Sequence, residues 1–158
     1  MLSLKKSCAL GAAAIVLAGA AGFALAQDKG AILKDRQATM KEQGKDLQNV
    51  KAYLDGKGDL AQAKEGATNL TKTTNKIPAL FPPGTGGPNP SGDYVAKPVI
   101  WSDWDKFLEA QRAAATKANA LVVAVNGGDR AAIEAAFGDL GKNGCGGCHT
   151  TFREKIEK

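Results

Sequence analysis

Two cysteines and a histidine near the C-terminus, in the run Cys145-Gly146-Gly147-Cys148-His149, are the residues of this 158-residue chain best placed for chemistry. On a helix Cys145 and Cys148 stand i,i+3, so their sulfurs leave one face a turn apart. His149, i+4 from Cys145, sends its imidazole to that face too. A C-x-x-C-H run is the attachment signature of a c-type haem, in which both thiols become thioethers and the histidine ligates iron. One flat ring needs two anchors and one axial nitrogen in the same place, and this spacing supplies them.

Two other chemistries use paired cysteines. A thioredoxin-like dithiol belongs beside a strand of a βαβ unit, and no strand pattern precedes this run. A structural zinc site takes four ligands, and beyond a carboxylate the chain offers no fourth.

Residues 1–26 read as a secretory targeting segment: Lys5 and Lys6 form a basic start, Ala9 to Ala21 is uncharged and apolar, and Ala24-Leu25-Ala26 is a small-x-small cleavage site. The apolar run is too short, and too rich in alanine and glycine, for a membrane span. Cys8 precedes it and so is not placed like a lipoprotein acceptor. Cleavage before Gln27 leaves one domain, residues 27–158. Its cysteines are then Cys145 and Cys148, its histidine His149 and its methionine Met40. The 21 basic side chains lose Lys5 and Lys6, leaving 19 against 16 acidic ones. That near balance lacks the concentrated basic stripe of a nucleic-acid binder.

The elements that must position these residues read as helices. Leu33, Met40, Leu47 and Leu54 recur every seven residues from about Asp28, with Val50 supporting the stripe. Asp59 can cap a second helix reaching about Lys76, with Leu60, Ala63, Ala67, Leu70 and Thr74 on its quieter face. All six prolines fall between Pro78 and Pro98, among several glycines, so this span is a long loop. Ile100, Trp101, Trp104, Phe107 and Leu108 open a third helix that runs to Asn126, and the aromatics read as core more than cofactor contact. Asp129 caps a fourth, with Ile133, Phe137, Leu140, Cys148, Phe152 and Ile156 inward. Gly141 and Gly144 weaken it by about 1 kcal/mol each relative to alanine, which suits close approach of a ring.

Four amphipathic helices without a strand pattern predict an all-α, up-down-up-down antiparallel four-helix bundle. The start of helix one and the end of helix four then share one end of the bundle. At 1.5 Å per residue, Met40 lies ~18 Å into helix one and His149 ~14 Å from the C-terminus, which puts them at one level. The proline-rich loop and Trp101 fall at the same end, where the loop covers the haem edge.

Several stretches together resemble the class II cytochromes c, the group that includes cytochrome c prime. They are Arg36-Gln37-Ala38-Thr39-Met40, Leu80-Phe81-Pro82-Pro83-Gly84-Thr85, Pro98-Val99-Ile100-Trp101, and Cys145 to His149 followed by Phe152-Arg153. The resemblance implies that His149 is the proximal ligand and that Arg36 and Gln37 lie at the haem edge near the propionates. In high-spin, gas-binding members the residue four past that arginine is commonly an apolar non-ligand. Here it is Met40, so the sequence looks like the low-spin branch with Met40 and His149 as the axial pair. Without the resemblance, Met40 reads as a flexible core filler and Arg36 as a solvated helix charge.

The expectation is therefore a periplasmic monohaem cytochrome that carries single electrons. Cys145 and Cys148 anchor haem c, His149 and Met40 ligate iron, and no side chain acts as catalytic acid, base or nucleophile. Its expected partners are redox donor and acceptor proteins, with neither nucleic acid nor lasting membrane insertion; a homodimer through helices one and two is left open. The rival is a five-coordinate, cytochrome c prime-like protein that binds or senses NO or CO. A peroxidase is disfavoured because no second histidine is available for acid–base work.

Overall fold

The computed structural model describes residues 17–87 and 92–156, with side chains described from Lys29 onward. The expected targeting segment lies mostly outside the described residues. From Leu17 the backbone is helical and continues through Ala26 and Gln27 without a break.

Helix α1, Leu17–Leu54, ends in a turn at Gly56, whose φ of 72° suits a residue without a Cβ. Helix α2, Leu60–Lys76, begins as expected at Asp59, where Oδ1 accepts the Gln62 N–H at 2.8 Å. A 3₁₀ turn, Ile77–Leu80, carries Pro78 in its first turn and leads into the long loop. Strand β1, Tyr94–Ala96, and helix α3, Val99–Ser102, follow. Helix α4, Trp104–Gly127, ends at Gly128 (φ 76°). Asp129 then caps α5, Arg130–Asp139, through the Ala131 N–H. A π-helical segment, Leu140–Gly146, joins α5 to α6, Gly147–Phe152, and strand β2, Arg153–Lys155, closes the described chain.

These elements form the expected bundle. Helix α1 packs on α2, α2 on α4, and α4 on α5 and the π segment, while α5 returns to α1. The short connections at 55–59 and 128–129 force antiparallel neighbours. Arg130, opening α5, donates to the carbonyls of Tyr53 and Leu54, which places the start of the fourth arm against the end of α1. Gln111 of α4 donates to the Thr74 carbonyl at 3.0 Å and satisfies the last turn of α2.

Three expectations about the helices change. The third arm is broken at Asp103 (φ −137°, ψ 63°), which caps α4 by accepting from the Lys106 N–H. The fourth arm ends at Phe152 instead of reaching Ile156. Residues 153–155 pair antiparallel with 94–96, Tyr94 opposite Lys155 and Ala96 opposite Arg153. The Ile156 N–H donates to the Asp93 carbonyl at 2.8 Å and the Lys97 N–H to the Phe152 carbonyl at 3.0 Å, so the ribbon ties the loop to the end of α6. Finally, the buried line of α1 is Arg36, Thr39, Asp46 and Val50, while Leu33, Met40 and Leu47 are half-buried. Leu33 and Met40 are less covered because they front a cavity.

Two apolar clusters hold the bundle. One joins Val50, Ala63, Ala67, Leu70, Ala118, Leu121, Val125, Ile133 and Leu140. Each fully buried leucine, isoleucine or valine there contributes roughly 1.5–3 kcal/mol. The other joins Leu80, Phe81, Ile100, Phe107 and Phe152 at the cavity end, with Met40 and Cys148 packed on it.

Candidate haem site

The cavity is about 460 Å³, within the usual range of ligand pockets, ~300–1,000 Å³. Cys145, Cys148 and His149 line it from the fourth arm, and Arg36, Gln37 and Met40 line it from α1. Every site residue expected from the sequence therefore fronts one space.

The π segment sets how the thiols arrive. A π turn carries more residues than an α turn and recurs at functional sites. Here glycines at 141, 144, 146 and 147 make regular helix weak. Asp139 pins the start of the segment, accepting from Lys117 Nζ and from Asn143 Nδ2, each at 2.6 Å. Gly144 lines the cavity, yet a Cβ there would meet Leu140 Cδ1 at 2.9 Å and the Ala114 Cα at 3.5 Å. The tight neighbour is Leu140 of the same segment, while α4 lies at ordinary contact distance. A Cβ on Gly141 would meet no protein atom within 4 Å.

Both thiols are free and half-buried. Burial pushes the Cys148 thiol up to about 11, with neighbouring Cys145 adding to the effect, and burial raises Cys145 too. Burial, then the positive charge of Arg153, holds His149 below its ordinary value, so its imidazole is neutral at pH 7 with a lone pair to give. Two unbridged sulfurs and a neutral imidazole on one largely apolar cavity fit a covalently bound haem c.

Arg36 is not the solvated charge that the helix pattern alone suggests. It is 8 % exposed, and its guanidinium donates to the Leu80 carbonyl, the Thr85 carbonyl and Thr85 Oγ1. Gln37 is half-buried beside it. The aromatics divide: Phe81, Phe107 and Phe152 line the cavity, and Trp101 and Trp104 pack behind them. Phe107 meets Phe81 at 5.0 Å and Phe152 edge-on at 5.3 Å, which seats α6 against α4. Sequence reasoning missed Phe81 as a wall residue, and missed Tyr94, over whose ring Arg153 sits at 4.1 Å. The only sequence signal for Phe81 was its place in the matching Leu80–Thr85 stretch.

A four-helix bundle with C-x-x-C-H on its last arm, opening into an apolar cavity, defines a bundle-type haem c protein. The comparisons narrow that class. The family model for cytochrome c′ matches residues 31–153, and the chain belongs to this family. It is 34% identical to the cytochrome c′ of Pararhodospirillum photometricum over 78% of this chain and 97% of that one. A solved cytochrome c′ with an unusual ligand-controlled dimer dissociation superposes with a TM-score of 0.73 at 27% identity, covering 80% of this chain and 97% of that one. A nitric oxide complex of a leucine-to-alanine variant of the Alcaligenes xylosoxidans cytochrome c′ gives 0.70 at 32% identity, covering 81% and 97%. The protein is thus an electron-carrying haem c protein of the cytochrome c′ family. The finer expectation, a low-spin branch ligated by Met40 and His149, finds no support in this assignment, because cytochromes c′ are typically high-spin and five-coordinate.

Proposed function

We propose that this chain is an exported one-electron haem protein whose iron is held by His149 alone and whose opposite face meets small gases such as NO or CO. The observation that carries the reading is that Cys145, Cys148 and His149 front one cavity, in a sequence with no second histidine. The nitric oxide complex of the Alcaligenes xylosoxidans relative supports it.

A bound haem c supplies the one-electron change at iron. Cys145 and Cys148 would hold the ring through thioethers, and His149, kept neutral by burial, would give its nitrogen to the iron. Gln37 and the remaining Nη1–H of Arg36 would meet the propionates. The Phe81, Phe107 and Phe152 rings exclude water, limiting reorganisation when the charge changes. Residues 1–26 would direct the chain to the periplasm and be removed there. A homodimer belongs to the reading, supported by the relative with ligand-controlled dimer dissociation.

One observation favours a second reading. Met40 fronts the cavity and packs on the Phe81 cluster, so its thioether is the soft donor at hand for a sixth position. Optical spectra of the ferric and ferrous protein, with and without carbon monoxide, decide between the two. High-spin spectra and prompt carbon monoxide binding are expected. A low-spin ferric spectrum with a near-red sulfur-to-iron band and sluggish carbon monoxide binding would hand the site to Met40.

A further inference from the structure

Among the described residues, no carboxylate forms an ion pair with the buried guanidinium of Arg36. Burial lowers its pKa to about 10, which still leaves it charged at neutral pH. Burying a charge is costly unless its donors are satisfied, so where they go is informative. Nε and Nη2 both donate to the Leu80 carbonyl, at 2.9 and 2.8 Å. Nη2 also donates to Thr85 Oγ1 at 2.8 Å, and Nη1 to the Thr85 carbonyl at 3.3 Å. A guanidinium has five N–H donors, and the loop after α2 takes four of them. The guanidinium carbon also lies 3.9 Å from the centroid of the Phe81 ring, the geometry of a cation–π contact.

The same loop is gripped from its other side. The Trp101 indole N–H donates to the carbonyls of Phe81 and Pro82, at 3.0 and 3.1 Å. A Cβ on Gly86 would stand 2.8 Å from Trp101 Cζ3, so the ring lies flush on the backbone. Within the loop, the Thr85 hydroxyl donates to the Pro82 carbonyl at 2.7 Å. Residues 81–87 form no regular element, so these side chains stand in for the ladder that would otherwise satisfy their carbonyls. Phe81, held between Arg36 and Trp101, is a wall of the haem cavity.

We infer that Arg36 is a positioning residue for this cavity: it fixes the Phe81 wall and so sets how readily a small ligand reaches the iron. Only a planar fork can bridge two carbonyls and a hydroxyl while lying on an aromatic face, and lysine offers a point charge instead. The ligand-access half rests on the gas-binding reading; the loop-ordering half does not.

The test uses holoprotein: wild type, Arg36→Lys and Thr85→Val. Thr85→Val removes the hydroxyl that Nη2 meets and leaves the guanidinium, with any propionate contact, in place. Amide hydrogen exchange across residues 80–87 reports loop order, and carbon monoxide rebinding to the ferrous protein after flash photolysis reports access. Arg36→Lys is expected to speed exchange in 80–87 by about tenfold or more, with α4 unchanged, and to speed rebinding severalfold. Thr85→Val should move both in the same direction by less. Unchanged exchange in both variants overturns the proposal, as does faster exchange with unaltered rebinding. A low-spin wild type that refuses carbon monoxide sinks the gas-binding reading alone, and the exchange data still judge the clamp by the first rule. Should Arg36→Lys fail to fold, Thr85→Val carries the test.

Discussion

A Cβ on Gly66 would stand 2.7 Å from the backbone carbonyl oxygen of Asp46, so α1 and α2 cross there almost backbone to backbone. The atom in the way is main chain and cannot swing aside. Gly66→Ala is expected to destabilise the holoprotein by about 1–3 kcal/mol. Gly44→Ala is the control, since a Cβ there meets nothing within 4 Å on an exposed helical face. It should stabilise by about 0.5–1 kcal/mol through helix propensity. Urea unfolding followed by circular dichroism separates the two, and equal stability of Gly66→Ala and wild type would contradict so close a crossing.

Asp46 itself lies in that crossing, 4 % exposed, and its Oδ2 has no partner. Burial raises its pKa, the charge of Glu42 adds to this, and a hydrogen bond from Asn69 and the charge of Lys45 oppose it. A carboxyl whose folded pKa lies above its unfolded value binds its proton more tightly when folded. Stability is then lost as pH rises from the ordinary carboxylate range through the raised value. Asp46→Asn should therefore raise Tm at pH 7, and the gain should shrink on acidification below the normal aspartate pKa. A gain that does not depend on pH would mean that the charge is not what costs stability.

Cys145 and Cys148 both front the cavity as free thiols. The purified wild-type protein should keep its haem through acid–acetone extraction. Single Ala replacements should leave one thioether, and the double replacement an extractable haem or an unfolded chain. Haem that washes out of the wild type would end the thioether assignment.

Met40 tests the sixth position. Met40→Leu refills much of the side-chain volume without a sulfur, so cavity effects stay small. With His149 as sole axial ligand, the ferric spectrum should remain high-spin and carbon monoxide binding should change little. A move from low-spin to high-spin on this substitution, with a lower reduction potential, would establish the thioether on iron.

What the sequence alone determined was whatever local chemistry encodes. The C-x-x-C-H spacing defines an attachment site at any place a helix puts it. The caps at Asp59 and Asp129 sit where a side-chain oxygen can reach a free N–H two or three residues on. The short connections dictated antiparallel arms, and Met40 and His149 front one cavity between them.

Tertiary structure decided the rest, because the partners were distant or carried no side-chain signature. Three-residue strands at 94–96 and 153–155 show no alternation to read, and each exists only because the other lies beside it. The π segment packs on α4, from which Lys117 holds Asp139 at its start. Arg36 is the clearest case. Its acceptors at Leu80 and Thr85 are largely backbone carbonyls, which every residue carries, so nothing in the residue pattern marks them. Only when α1 and the loop after α2 meet does a helix arginine become a buried clamp on the wall of the haem cavity.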